Sequence, residues 1–250
     1  MLLANDDGIT SPGLHALYAE IRKLGDTMVV APDAERSAVG HAITTLTPLR
    51  AKEFRLGRDL IGYAVNGTPA DCIKLGVSAL LEQPPDLVVS GVNLGPNTAT
   101  NIIYSGTVSA ATEARILGIP SIAVSLGEFV EPDFRPAAAV ARRVAKLVLT
   151  HGLPPRVLLN VNVPNLPLSK IKGVRYTRQG DSGFVEDFAR REDPRHQPYF
   201  WLAGTYQMTD EDEDTDAWAL AHDYVSITPI TYDLTAYHFV DELRGWRLTL

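Results

Sequence analysis

The sequence predicts an α/β fold: a Rossmann-like, mostly parallel sheet with helices on both faces, followed by a smaller C-terminal β-rich region. Three observations carry this expectation. From the first residue to about residue 150, short apolar runs alternate with amphipathic stretches, the pattern of buried parallel strands joined by helices. Polar or glycine-containing loops follow successive runs. Beyond Pro164 the chain becomes aromatic and turn-rich, with weaker helical periodicity. The expected division is a Rossmann-like α/β core over 1–166 and a smaller β-rich region over 167–250.

The predicted strands of the core are Leu2 to Ala4, Thr27 to Ala31, Ile61 to Val65, Leu87 to Ser90 and Ser121 to Ser125, with a further one at Leu158 to Val163. The first helix follows Ser11 as N-cap and Pro12 in the first turn, and Leu14, Leu17, Tyr18 and Ile21 form its apolar stripe. Further helices are expected from Thr68-Pro69 through Leu81, from Gly106 through Leu117, and from Phe134 to Thr150. Gly173 to Thr177, Pro198 to Leu202 and Tyr224 to Ile230 read as the strands of the second region. The acidic run Asp210 to Asp216 between two of them reads as a solvated loop. Trp201, Trp218, Tyr224 and Trp246 fit either a core or an interface.

Composition narrows the partners. A 250-residue chain with 45% hydrophobic residues can fill a sizeable core. A formal net charge of −7 argues against a nucleic-acid polymer or an anionic membrane as main partner, since both attract basic patches. Cys72 is the single cysteine, so an intrachain disulfide and a Cys-rich zinc site are both excluded. With no recognisable leader and no long apolar run, a cytoplasmic location is expected.

Chemistry concentrates in the loops. Asn5-Asp6-Asp7-Gly8 stands directly behind the first strand, and adjacent carboxylates at a buried strand end must be paired, hydrogen-bonded or cation-bound. A simple turn is the plainer reading of those residue types. Asp6, Asp7, the Ser37 hydroxyl and the Asn93 amide oxygen together make an all-oxygen set suited to Mg²⁺ or Mn²⁺. Ser105-Gly106-Thr107, after Tyr104, opens a helix whose free N–H groups and hydroxyls would receive an anion, although an ordinary N-cap gives the same pattern. Asn97 is a candidate substrate contact, and His41 is a candidate phosphate contact or a structural imidazole. No P-loop, dinucleotide fingerprint or nucleophile elbow is present.

These residues resemble one family, the SurE survival proteins, which are metal-dependent 5′/3′-nucleotidases. The resemblance rests on Asn5-Asp6-Asp7-Gly8-Ile9, Ser11-Pro12-Gly13, Arg36-Ser37, Gly40-His41, Gly67-Thr68-Pro69-Ala70-Asp71, Ser90-Gly91-Val92-Asn93 and Tyr104-Ser105-Gly106-Thr107-Val108-Ser109. It continues through Asn160-Val161-Asn162-Val163-Pro164, Thr215-Asp216 and Ser226 to Pro229. The resemblance implies that Asp6, Asp7, Ser37 and Asn93 ligate one divalent cation per subunit, and that Asn97, Ser105, Gly106 and Thr107 contact phosphate or substrate. It further implies that 1–166 is the catalytic core and that 167–250 serves core completion and oligomerisation, in a homodimer or homotetramer whose late elements are exchanged between subunits. Ala99 and Asn101 depart from the family's usual Gly and Asp between Asn97 and Tyr104, and Ala4 from its usual Thr.

The function expected on these grounds is hydrolysis of nucleoside 5′- and 3′-monophosphates to nucleoside and phosphate, with Asp6 or Asp7 taking the proton of the attacking water. The alternatives are a broader phosphatase or exopolyphosphatase, and a non-catalytic, metal-dependent nucleotide-binding module.

Overall fold

The structure, a computed structural model, describes residues 1–246. β1 (Leu2–Ala4) leads to α1 (Pro12–Ile21), capped by the Ser11 hydroxyl, which accepts from Leu14 N at 3.2 Å. Gly13 lets this helix approach the sheet, because a Cβ there would lie 2.1 Å from the Val92 carbonyl oxygen. β2 (Met28–Pro32) follows, then β3 (Ala51–Leu56) and β4 (Asp59–Val65). α2 (Pro69–Leu75) opens with a capping box between Thr68 and Asp71. The single helix expected to run on to Leu81 instead changes at Gly76 into a π-helical turn, Gly76–Leu80. There the backbone lies against Leu2 and Val30, and an added Cβ would meet Leu2 Cδ2 at 3.2 Å.

β5 (Val88–Asn93), the short α3 (Asn101–Tyr104) and α4 (Gly106–Ile116) come next, followed by β6 (Ser121–Leu126), α5 (Phe134–His151) and β7 (Val157–Val163). The remaining elements are β8 (Gly173–Tyr176), β9 (Gly183–Glu192), β10 (Pro198–Gln207), α6 (Asp216–Ala221), β11 (Tyr224–Thr231) and α7 (Tyr237–Arg244).

Nine strands form one sheet in the order β3-β4-β2-β1-β5-β6-β7-β11-β8. From β4 to β7 every neighbouring pair is parallel; β3 and β11 run antiparallel to β4 and β7. The late segment thus completes the sheet with β8 and β11 and sends out a separate antiparallel hairpin, β9–β10.

Alternation along β1 builds both layers of the core. Leu3 joins Val29, Val89 and Ile122 under α1 and α5, whereas Leu2 and Ala4 join Val30, Val88 and Ile73 on the side of α2 and α4. Leu2 and Leu3 are wholly buried, and each such side chain contributes about 1.5–3 kcal/mol by leaving water. Among the described residues no helix is long and apolar enough to cross a membrane.

Candidate metal and phosphate site

From β1 the chain runs to β2 on one side of the sheet and, later, β5 takes its place on the other. Strand ends at such a reversal leave a crevice where ligands bind. Asn5 shapes the turn there: its Nδ2 donates to Gly8 O at 3.0 Å and to Ser11 Oγ at 2.9 Å, and Gly8 takes a left-handed φ of 95°.

Asp6 is buried, and its Oδ1 accepts from Thr107 Oγ1 at 2.5 Å. Burial pushes its carboxyl above the ordinary range, and the hydrogen bond from Thr107 opposes that rise. Burial also raises Asp7, to about 7, with the charges of Asp6 and Glu35 adding to the rise and the Leu94 N–H, 3.2 Å from Asp7 Oδ2, opposing it. Two carboxyls that resist ionising together are the electrostatic condition a cation relieves.

The other oxygen donors face the same place. Asn93 commits its amide nitrogen to the carbonyls of Gly95 (2.7 Å) and Leu94 (3.2 Å), and its Oδ1 lies 3.4 Å from Thr107 Oγ1. Ser37 donates its hydroxyl to Glu35 Oε1 at 2.7 Å, which leaves oxygen lone pairs for a ligand. The Ser37 loop is pinned to the Asp pair by Arg36 N, which donates to Asp6 O at 2.7 Å. A cleft of about 240 Å³ is lined by Asp6, Ser37, Asn93, Asn97 and Ser105 among others. Among the described residues no group of three or more His, Cys, Asp or Glu is arranged to hold a metal ion by itself. The donors that line the cleft, Asp6, Ser37 and Asn93, offer hard oxygens, the donor type a hard divalent cation takes.

α4 begins at the same cleft. Ser105 Oγ caps it, accepting from Val108 N at 3.1 Å, and Gly106 lets the helix start close to Asp6, since a Cβ would lie 2.7 Å from Asp6 Cβ. The N–H groups of Gly106 and Thr107 are directed at the Asp6 carboxyl and oppose the rise of its pKa, and the positive partial charge of this helix end suits an anion.

A sequence model of the family described as survival protein SurE matches residues 1–186. The chain belongs to the SurE family. The 5′-nucleotidase SurE of Syntrophobacter fumaroxidans is 51% identical over 99% of this chain and 99% of its own length. That of Syntrophus aciditrophicus is 51% identical, covering 98% of this chain and 92% of its own. The crystal structure of the SurE protein from Aquifex aeolicus superposes with a TM-score of 0.87 at 44% identity, over 98% of each chain.

In this SurE chain Asn97 is held on every side. Its N–H donates to Asn162 Oδ1 at 2.8 Å, its amide nitrogen to Ser125 Oγ at 2.9 Å, and its carbonyl accepts from Asn160 and Asn162 at 2.8 and 3.1 Å. Asn160 and Asn162 alternate on one face of the otherwise apolar β7. That break in the apolar pattern was visible in the sequence as a pair of buried amides awaiting a partner.

His41 stands apart from the cleft lining. Its Nε2 is 2.8 Å from Glu113 Oε2, whose other oxygen accepts from Lys74 Nζ at 2.9 Å. The imidazole thereby ties its loop to α4, the structural one of the two roles open to it. Glu113 is held below the ordinary carboxylate range by the hydrogen bond from His41 and then by Lys74, against the effect of burial.

The acidic run also departs from expectation. Asp210, Asp212 and Asp214 clasp Arg178 at the surface, as a solvated block would. Asp216 is instead wholly buried, and its carboxylate accepts from the N–H groups of Ala99 (2.9 Å), Gly180 (3.0 Å) and Ala217 (2.8 Å). It thereby ties the segment after Asn97 to the base of the hairpin. Ala99 takes a left-handed φ of 52°, where the family's usual Gly would meet no steric cost.

Proposed function

We propose that the chain is a divalent-metal-dependent phosphomonoesterase that hydrolyses nucleoside 5′- and 3′-monophosphates to nucleoside and phosphate. The observation that carries this reading is the meeting of the Asp6–Asp7 carboxyls with the N-terminus of α4 through the Thr107–Asp6 hydrogen bond. It sets a cation-favouring pair beside an anion-favouring helix end, the combination a phosphate ester needs. Near full-length identity to relatives named 5′-nucleotidase favours a nucleotide over polyphosphate as substrate.

Asp6, Asp7, Ser37 and Asn93 would hold one Mg²⁺ or Mn²⁺ per subunit. Such an ion supplies charge neutralisation at the phosphoryl group and a more acidic attacking water. Ser105, Gly106 and Thr107 would set the start of α4 against the phosphate, with the Ser105 hydroxyl as a donor while the Gly106 and Thr107 donors are turned to Asp6, and Asn97 borders the same cleft. Thr107 keeps Asp6 oriented. Asp7, less tightly bonded than Asp6, is the better placed of the two to accept a proton from water.

The region 167–250 would serve both core completion and assembly into a homodimer or homotetramer. Tyr199, Trp201 and Val185 share one face of the hairpin and are exposed, which supports a second copy as their cover. A buried free Cys72, an acidic chain and the lack of a membrane-crossing helix among the described residues support a cytoplasmic setting without a nucleic-acid or membrane partner.

The test is phosphate release from a panel of 5′- and 3′-nucleoside monophosphates, polyphosphate and p-nitrophenyl phosphate, with Mg²⁺, Mn²⁺ or chelator. Metal-dependent turnover that favours nucleotides supports the proposal. Preference for polyphosphate would establish the broader phosphatase, and nucleotide binding without turnover the binding module.

A further inference from the structure

A second cavity, of about 500 Å³, adjoins the catalytic cleft. Ala38, Asn101 and Tyr104 line both, so one opens into the other along the loop that follows Ser37 and along α3. The far wall is the hairpin: Glu186, Leu202, Ala203 and Gly204. Glu186 pairs directly with Gly204 across β9–β10, and the glycine contributes no side chain, which leaves the hollow beside the carboxylate open.

The hairpin is held to the site at its base. Thr100 donates to Ser182 O from its N–H at 3.3 Å and from Oγ1 at 2.9 Å. Gln179 Nε2 donates to Ala99 O at 2.9 Å, and Asp216 joins Ala99 to Gly180. The cavity wall and the Asn97 segment are thus parts of one bonded unit.

We propose that this cavity is the subsite for the nucleoside part of the substrate, with the base against Tyr104 and Leu202 and the ribose hydroxyls donating to Glu186. The proposal rests on the nucleotidase reading above and deepens it. Its size falls within the ~300–1,000 Å³ of small-molecule sites, and its lining has the expected make-up: apolar and aromatic walls with one carboxylate and one amide to orient the ligand. A phosphate at the start of α4 is separated from this cavity only by the residues the two spaces share, so a phosphomonoester seated there directs its leaving group toward Tyr104.

The experiment compares native protein with Glu186→Ala/Leu202→Ala and with Leu202→Trp, which crowds the cavity from the hairpin face that carries Glu186. It measures kcat and KM for AMP and for p-nitrophenyl phosphate, and the binding of adenosine alone by calorimetry. Thermal melts of all variants report folding. The expected result is a tenfold or greater fall in the kcat/KM ratio of AMP to p-nitrophenyl phosphate, mainly through KM, with adenosine affinity weakened to match. Parallel changes on both substrates, or an unchanged ratio and adenosine affinity in folded variants, would overturn the subsite while leaving the hydrolase reading intact. Native protein that hydrolyses neither ester but loses adenosine binding in the variants would retain the subsite and remove the hydrolase reading.

Discussion

Thr107 Oγ1 donates to Asp6 Oδ1 at 2.5 Å, joining the first turn of α4 to the end of β1. With the Gly106 and Thr107 N–H groups directed at the same carboxyl, this bond sets the position of the anion-receiving helix relative to the cation-favouring carboxyls. Thr107→Val keeps the side-chain shape and removes the donor to a buried acid. An unmet buried partner of this kind costs about 1–3 kcal/mol, so kcat/KM is expected to fall roughly tenfold to a hundredfold. Thr107→Ser should recover most of the loss in the same steady-state assay.

Gly106→Ala should be nearly as damaging, for a steric reason. The new methyl carbon would stand 2.7 Å from Asp6 Cβ, so either the helix start or Asp6 must move. Overpacking at such a contact costs about 1–3 kcal/mol, and a thermal melt together with kcat should both register the substitution.

Glu113 supplies a pH-dependent contribution to stability. His41, and after it Lys74, hold its carboxyl below the ordinary value of 4.5. A carboxyl whose folded pKa is depressed stabilises the fold above its unfolded pKa, and that contribution disappears as pH falls through the folded value. Both partners are partly exposed, so Glu113→Gln should cost about 1–2 kcal/mol at pH 7. Denaturant titrations of native and variant should converge below about pH 4.

Ala99 and Asp216 make a further pair of expectations. At a φ of 52°, Ala99→Val places a β-branched side chain in the left-handed region at a buried position and should cost about 2 kcal/mol or more. Ala99→Gly relieves the steric cost but frees the unfolded chain, so its net effect should stay within about 1 kcal/mol. Asp216→Ala leaves three backbone N–H donors without their acceptor and should cost about 3 kcal/mol. Urea titration checks all three.

Much of this architecture is legible in the chain because parallel strands buried on both faces read as plain apolar runs. Leu2–Ala4, Val88 to Ser90 and Ser121 to Ser125 are examples. β3 and β9 are hidden by the opposite condition: AKEFRL and GFVEDFARRE are largely exposed strands whose charges erase the alternation. The carboxyl pair and the α4 cap are visible since each is contiguous in sequence. Asp216 is not, because a buried carboxylate at the end of an acidic block has the same letter as its solvated neighbours, and only the folded chain shows which amides it meets. His41 shows the converse, an isolated imidazole whose partner, Glu113, lies 72 positions away.

The most direct test of the central claim is a Mn²⁺ titration of native protein and Asp7→Asn by calorimetry, with phosphate release from AMP followed in the same samples. The account predicts about one ion bound per native chain with metal-dependent turnover, and loss of both the tight site and the turnover in the variant. Full Mn²⁺ affinity and full turnover in Asp7→Asn would contradict it.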